Sequence, residues 1–174
     1  TGVQTCALPI STNDVVTVAA AITGAAQSFT YKDANAVAIG TVNGTTGITT
    51  SGGAVTLTTA GAGNITSASG KNVTTTAGAN SGAVSGAVTM STNSGNIALA
   101  GDVITTGAAN NAATASAGGQ VDLTANSGTL AVANITTSGG AGTGQNGGNA
   151  ANINLTTAGG TNDLTVNGTL PALG

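Results

Sequence analysis

The amino-acid sequence predicts an all-β protein, a right-handed parallel β-helix (β-solenoid) with coils of about 33 residues. Short segments that alternate apolar and polar residues recur in three registers at nearly this spacing. Glycine-bearing turns separate these segments, and no apolar stripe with helical periodicity is present. Stacking such units would place Val, Ile and Leu in internal columns, and parallel crossover connections are right-handed.

The first register, strand A, alternates as a half-buried strand requires. It is found at residues 55–57, 88–90, 121–123 and 153–155, whose first positions lie 33, 33 and 32 residues apart. Alternation directs Val121 and Leu123 toward the interior and Asp122 toward solvent.

The other two registers follow strand A within each unit. Strand B is predicted from Ile65 and at residues 97–99, 130–132 and 164–166, and strand C at residues 73–75, 104–106 and 135–137. Small-residue segments after strand C, at residues 77–85, 107–119 and 138–151, are predicted to be loops. The low aliphatic content is also compatible with disorder, but three coincident registers favour the solenoid.

The chain is divided into residues 1–10, a variant N-terminal coil at residues 11–53, and repeated coils at residues 54–174. In the variant coil, Val15–Val18 resembles strand A, residues 36–42 are strand-like and residues 48–50 match strand C. Phe29 and Tyr31, the sole aromatic residues, belong to an insert at residues 27–35. We interpret them as a plug or cap at the end of the solenoid, with a ligand platform as the alternative.

Residues 1–10, TGVQTCALPI, resemble the conceptual translation of a sequencing adapter, and we exclude them from the fold prediction. An ordinary polar lead-in segment is the alternative. The exclusion removes Cys6, the single cysteine, so no disulfide or cysteine metal site is expected. Since the chain starts without Met, we expect an interior fragment of a longer reading frame, and its longest nearly apolar run, residues 15–22, is too short to span a membrane.

Charged residues make up 4% of the chain, against about 25% in an average soluble domain. The chain has five acidic and two basic residues and no histidine, which leaves no histidine to act as a general base and no basic patch for nucleic acid. Asp122 and Asp163 have no second carboxylate close in sequence. The sequence therefore predicts a protein that is not an enzyme, with no catalytic, cofactor-binding or metal-ligating residues, no cofactor and no nucleic-acid partner.

Three further patterns have structural as well as functional interpretations. Gly139–Gly144 and Gly159–Asp163 resemble a glycine-rich calcium repeat, but each departs from it at the aspartate position, and simple turns are preferred. Thr-Thr pairs on strand C suggest an ice-binding array, although only one Thr of each pair can face outward. Six N-x-T sequons are attributed to composition rather than to glycosylation; they begin at Asn43, Asn64, Asn72, Asn134, Asn154 and Asn167.

Two stretches, residues 29–53 (FTYKDANAVAIGTVNGTTGITTSGG) and residues 118–140 (GGQVDLTANSGTLAVANITTSGG), resemble repeats in large bacterial secreted adhesins of the filamentous haemagglutinin type. The resemblance spans about Val15 to Leu170. It implies a secreted or cell-surface β-helical stalk that adheres to host cells, other bacteria or matrix, beside neighbouring coils of a longer parent chain. The alternative function is ice binding or another surface binding by a threonine array.

Overall fold

The computed structural model describes residues 13–111, 113–144, 146–159 and 163–173, so the adapter-like residues 1–10 lie outside it. Within the described residues every regular element is a β-strand. The strands in chain order are β1 (Thr17–Val18), β2 (Ala20–Ala25), β3 (Phe29–Asp33), β4 (Val37–Ile39), β5 (Thr41–Val42), β6 (Thr45–Thr46), β7 (Ile48–Ser51), β8 (Val55–Thr59), β9 (Ile65–Ser67), β10 (Val73–Thr74), β11 (Val88–Thr92), β12 (Ile97–Leu99), β13 (Val103–Ile104), β14 (Val121–Ala125), β15 (Leu130–Val132), β16 (Ile135–Thr136), β17 (Ile153–Thr157) and β18 (Leu164–Val166).

Three parallel sheets are built from strands of successive coils. Sheet A has the order β3-β8-β11-β14-β17, sheet B the order β1-β4-β9-β12-β15-β18, and sheet C the order β16-β13-β10-β7-β2. The short hairpin of β5 and β6 is antiparallel and lies between β4 and β7 in the chain. The stacked coils of about 32 residues make about four turns and confirm the predicted β-solenoid.

The interior consists of apolar columns that run through the stack. On sheet A, Val88 pairs with Val55 and Val121, and these side chains have no solvent exposure. Each fully buried aliphatic side chain stabilises the fold by roughly 1.5–3 kcal/mol. The neighbouring Asp122 is half-buried on the outer side, as the predicted alternation requires.

The predicted register of strand C is wrong by one residue in one coil. Val103, not Ile104, pairs with Val73 and Ile135, and Val103 is the buried residue of the two. Either apolar residue could begin the strand on pattern alone. With Val103 inward, Thr105 also points inward, and it donates its hydroxyl hydrogen to the carbonyl of Gly119.

The prediction that Val15–Val18 is a strand A is also wrong, because β1 pairs with β4 in sheet B. The first strand A is β3, which lies in register with β8, so residues 27–35 are not an insert. Residues 13–53 thus contain a partial coil, β1 and β2, followed by one complete coil. Phe29 and Tyr31 point inward at the end of the sheet A column, with ring centroids 6.4 Å apart, where a cap is expected.

Threonine hydroxyls inside the solenoid are satisfied by corner carbonyls. Each donates to a backbone oxygen, 3 or 4 residues further along the chain for Thr50, Thr59 and Thr92 and 11 to 14 residues further for the other three. These bonds avoid a cost of about 1–3 kcal/mol for an unsatisfied buried hydroxyl. The pairs at 2.5 to 2.7 Å are Thr50–Gly53, Thr59–Gly63, Thr75–Gly86, Thr92–Gly95, Thr105–Gly119 and Thr137–Ala151.

The small-residue segments predicted as loops are ordered. We call residues 75–87, 105–120 and 137–152 the glycine-rich arms, leaving aside residues 112 and 145. Within the second arm, Ser116 N–H donates to the carbonyl of Ala108, and across to the third arm Gly140 N–H donates to the carbonyl of Ser116. A Cβ on Gly140 would lie 2.1 Å from the Ala108 carbonyl oxygen. The arms therefore stack backbone against backbone, and only glycine fits at such contacts.

Replacing Gly140 by Ala is expected to lower the free energy of unfolding by about 1–3 kcal/mol, since the new methyl group must displace backbone. Gly78→Ala in the first arm is the matched control, because a Cβ there meets nothing within 4 Å. Its effect should stay within about 0.5 kcal/mol. Urea denaturation followed by circular dichroism measures both. Equal midpoints would contradict the structural role of the arms.

Candidate binding face

The outer side of sheet A carries two rows of polar side chains, because every second residue of its in-register strands points outward. The first row comprises Thr30, Thr56, Thr89, Asp122 and Asn154. The second row comprises Lys32, Thr58, Ser91, Thr124 and Thr156. Seven of these ten positions bear an aliphatic hydroxyl.

The rows form a regular lattice because the strands pair without interruption. All five residues of β11 pair in one register with β8 and with β14. Neighbouring strands lie about 4.8 Å apart, and alternate residues along one strand about 6.6 Å apart. On sheet C, by contrast, the pairing of β2 with β7 shifts register between Ile22 and Ala25.

The outward hydroxyls of sheet A differ from the inward ones in their hydrogen bonding. Thr58, Ser91 and Thr124 are half-buried, and within the described residues their hydroxyls have no protein partner. Their hydrogen-bonding capacity is therefore directed to water or to a ligand. These side chains stand on a rigid sheet, so their positions are set before anything binds.

Charge is sparse on this face and partly satisfied by neighbours. Asp122 accepts hydrogen bonds from the side-chain amides of Gln120 at 2.9 Å and Asn154 at 2.7 Å. Lys32 lies on the terminal strand β3 and borders a shallow concavity of about 400 Å³ next to Thr58 and Ser91. The face offers hydrogen-bonding groups for an uncharged polar surface.

The outer sides of the other two sheets carry fewer hydroxyls. Sheet B presents Thr17, Ala38, Thr66, Ala98, Ala131 and Thr165, beside a second shallow concavity of about 420 Å³. Sheet C presents a single row containing Thr49, Thr74, Ile104 and Thr136. As expected from the sequence, one Thr of each Thr-Thr pair on strand C points inward, as Thr50 and Thr75 do. The useful signal was the alternation in Thr56-Leu57-Thr58, whose two threonines share one face.

A second polar cluster lies at the N-terminal end of the solenoid, around Asp33. This carboxylate is fully buried and accepts hydrogen bonds from Tyr31 Oη at 2.7 Å, Asn35 N at 2.8 Å and Val15 N at 3.1 Å. Burial pushes the pKa of Asp33 upward, but these hydrogen bonds outweigh it and the pKa lies below the usual value. Burial and Asp33 together raise the pKa of Tyr31. The cluster ties the entering chain to the first strand A and has a structural role.

The sequons include positions that hold coils together. The Asn72 side-chain carbonyl accepts from Asp102 N at 2.9 Å, and Asn134 Nδ2 donates to the Asp102 carboxylate at 2.9 Å. Asn64 accepts from Asn96 N at 2.7 Å in the same way at another corner. These ladders give Asn64, Asn72 and Asn134 a structural role.

The two calcium-like patterns lie apart from any acidic cluster in the described structure. Gly144 has a positive φ of 70°, as in a tight turn. Residues 160–162 of the second pattern lie outside the described residues, and Asp163 is exposed. No group of three or more His, Cys, Asp or Glu side chains that could hold a metal ion occurs among the described residues. Asp122 and Asp163 belong to different sides of the coil, on sheet A and just before β18 of sheet B.

No protein-family model, curated protein or solved structure matches the chain. Within the described residues, no helix is long and apolar enough to cross a membrane.

We expect Asp33→Asn to destabilise the fold at neutral pH by about 2–3 kcal/mol, because hydrogen bonds to a charged acceptor are lost. The folded pKa of Asp33 is lowered, so its contribution is complete above the ordinary Asp pKa of about 4 and disappears as pH falls through the folded value. Urea unfolding of both proteins across this range should show the difference shrinking toward acid pH. A difference independent of pH would contradict the assigned charge state.

Proposed function

We propose that the chain is a non-catalytic stalk segment of a bacterial adhesin, either secreted or displayed at the cell surface. In this role the stacked coils hold binding surfaces away from the bacterial cell and present them to host cells, other bacteria or matrix. One observation carries the proposal: the stack is continuous and ends on an uncovered apolar cross-section at its C-terminal side.

That cross-section is made of side chains that would be buried in any interior coil. Leu130 and Val132 of β15 are 0% and 1% exposed, whereas their partners one coil later, Leu164 and Val166, are 48% and 38% exposed. Within the described residues, β17 and β18 also have an unpaired outer edge in their sheets. The surface matches the underside of another coil, both in its backbone edge and in its apolar columns.

A continued stack is well suited to a stalk. Each added coil advances the structure by about 4.8 Å and repeats the same backbone hydrogen bonds, so length is gained without a new fold. The neighbouring coils of a longer parent chain would then be the first partners of this segment. The resemblance of residues 29–53 and 118–140 to adhesin repeats supports the adhesive role.

Adding one coil tests the stalk. Residues 140–152 followed by residues 121–137, joined to the C-terminus, would supply an arm and three strands in the order that the stack requires. We expect a higher free energy of unfolding in urea denaturation, since Leu164 and Val166 become covered and the hydrogen-bonded stack gains one coil. The control extension carries Asp at the copies of Val121, Leu123 and Leu130. If both extensions behave alike, the end does not accept a coil.

Adhesion is tested separately with beads coated with the purified chain. They are expected to be retained on at least one of three surfaces, namely cultured host cells, bacterial layers or matrix-coated glass, in a manner that soluble chain competes. Beads coated with heat-unfolded chain are the control. Retention no better than the control on all three surfaces would refute adhesion by this segment, whatever the outcome of the coil extension.

A further inference from the structure

We propose that the outer face of sheet A is an ice-binding face, a function beyond that of the stalk. Its ligand is the ordered water of an ice surface. The face combines a two-dimensional lattice of hydroxyls, a rigid scaffold and almost no charge, and it lies on a different sheet from the threonine pairs that the sequence singles out.

The first argument is periodicity. An ice surface is a repeating array of water positions, so a protein face that binds it must repeat in two directions. The second row runs without a break through Thr58, Ser91, Thr124 and Thr156, and the first supplies Thr56 and Thr89 alongside. Spacings of about 4.8 Å across strands and about 6.6 Å along them are fixed by the backbone.

The second argument is preorganisation. Threonine is branched at Cβ and has few χ1 conformations, and the outward Thr residues of β8, β11 and β14 are flanked by strands on both sides. Because Thr58, Ser91 and Thr124 make no hydrogen bond with the described protein, their hydroxyls can complete a water network without breaking an internal bond. Ordering this face on binding therefore costs little conformational entropy.

The third argument is the chemistry that the face does not have. A protein partner usually needs aromatic or arginine anchors, and nucleic acid needs clustered cations. The outward rows contain no aromatic residue, one amine at Lys32 and one carboxylate at Asp122. A hydroxyl and methyl lattice without anchors suits an uncharged, periodic, hydrogen-bonding surface.

Sheet A is also the sheet of the described solenoid whose strands are long enough to carry two outward rows of mostly hydroxyl-bearing residues along all five strands, because each strand has five residues. The outward row of sheet C is broken by Ile104, and half of the outward row of sheet B is alanine, including the adjacent Ala98 and Ala131. The proposal therefore predicts which substitutions abolish binding and which leave it intact.

The test uses the purified chain in a nanolitre osmometer, where crystal shape and the gap between melting and freezing are observed. The native chain is expected to produce faceted ice crystals and a measurable gap. Thr124→Lys in the middle of the second row should abolish both, since a long charged side chain holds the ice surface away from its neighbours. The matched control, Thr74→Lys on sheet C, should retain both.

A gain-of-function variant keeps the test decisive if Thr124→Lys fails to fold. Asp122→Thr extends the first row beyond Thr89 and is expected to widen the gap, with the β-sheet signal in circular dichroism retained. Rounded crystals with the native chain would overturn the proposal. Equal loss of ice shaping in folded Thr124→Lys and Thr74→Lys would also overturn it. Retention of the chain on crystalline cellulose or chitin, without any effect on ice, would overturn it as well and would assign the face to a polysaccharide.

Discussion

Parallel, in-register pairing between successive coils is the constraint on which the rest of this structure depends. Each interior strand of the three parallel sheets exchanges its backbone hydrogen bonds with the coil before and the coil after, so residues in equivalent positions lie directly above one another. Alternation then sorts each strand into an inner and an outer set. The apolar columns, the hydroxyl rows on sheet A and the asparagine ladders at the corners are all consequences of that one geometry.

In a narrow interior, the backbone carbonyls at each corner of the coil also need hydrogen-bond donors. Threonine supplies one, because its methyl group packs with the columns while its hydroxyl reaches a corner carbonyl, as Thr92 does with Gly95. Asp33 serves the terminal coil, where it gathers donors from the entering chain. In the glycine-rich arms the same demand is met by backbone alone, since Gly140 and Ser116 bond directly. The low content of large side chains is thus a property of the architecture.

The outer faces of the stack and its ends support different functions. The uncovered Leu164 and Val166 at the C-terminal side are available for the stacking of further coils, whereas the outer faces are available for binding to other surfaces. Both features follow from repetition, because a coil that stacks on one neighbour has edges and columns ready for another. Adhesion and ice binding accordingly make separate demands on the chain and can succeed or fail independently.

The sequence alone determined the fold class, the coil length and the inward residues of strands A and B, because a two-residue alternation repeated at a fixed spacing has one economical explanation. It also determined that charge is scarce. The tertiary structure decided what repetition leaves ambiguous: that Val103 rather than Ile104 begins a strand C, that β3 rather than Val15–Val18 is the first strand A, and that Gly107–Gly119 and its neighbours are packed arms. It also identified sheet A as the hydroxyl face. For the two strands, the local pattern fits either assignment, and only the pairing with neighbouring coils selects one. The packing of the arms likewise depends on contacts between coils.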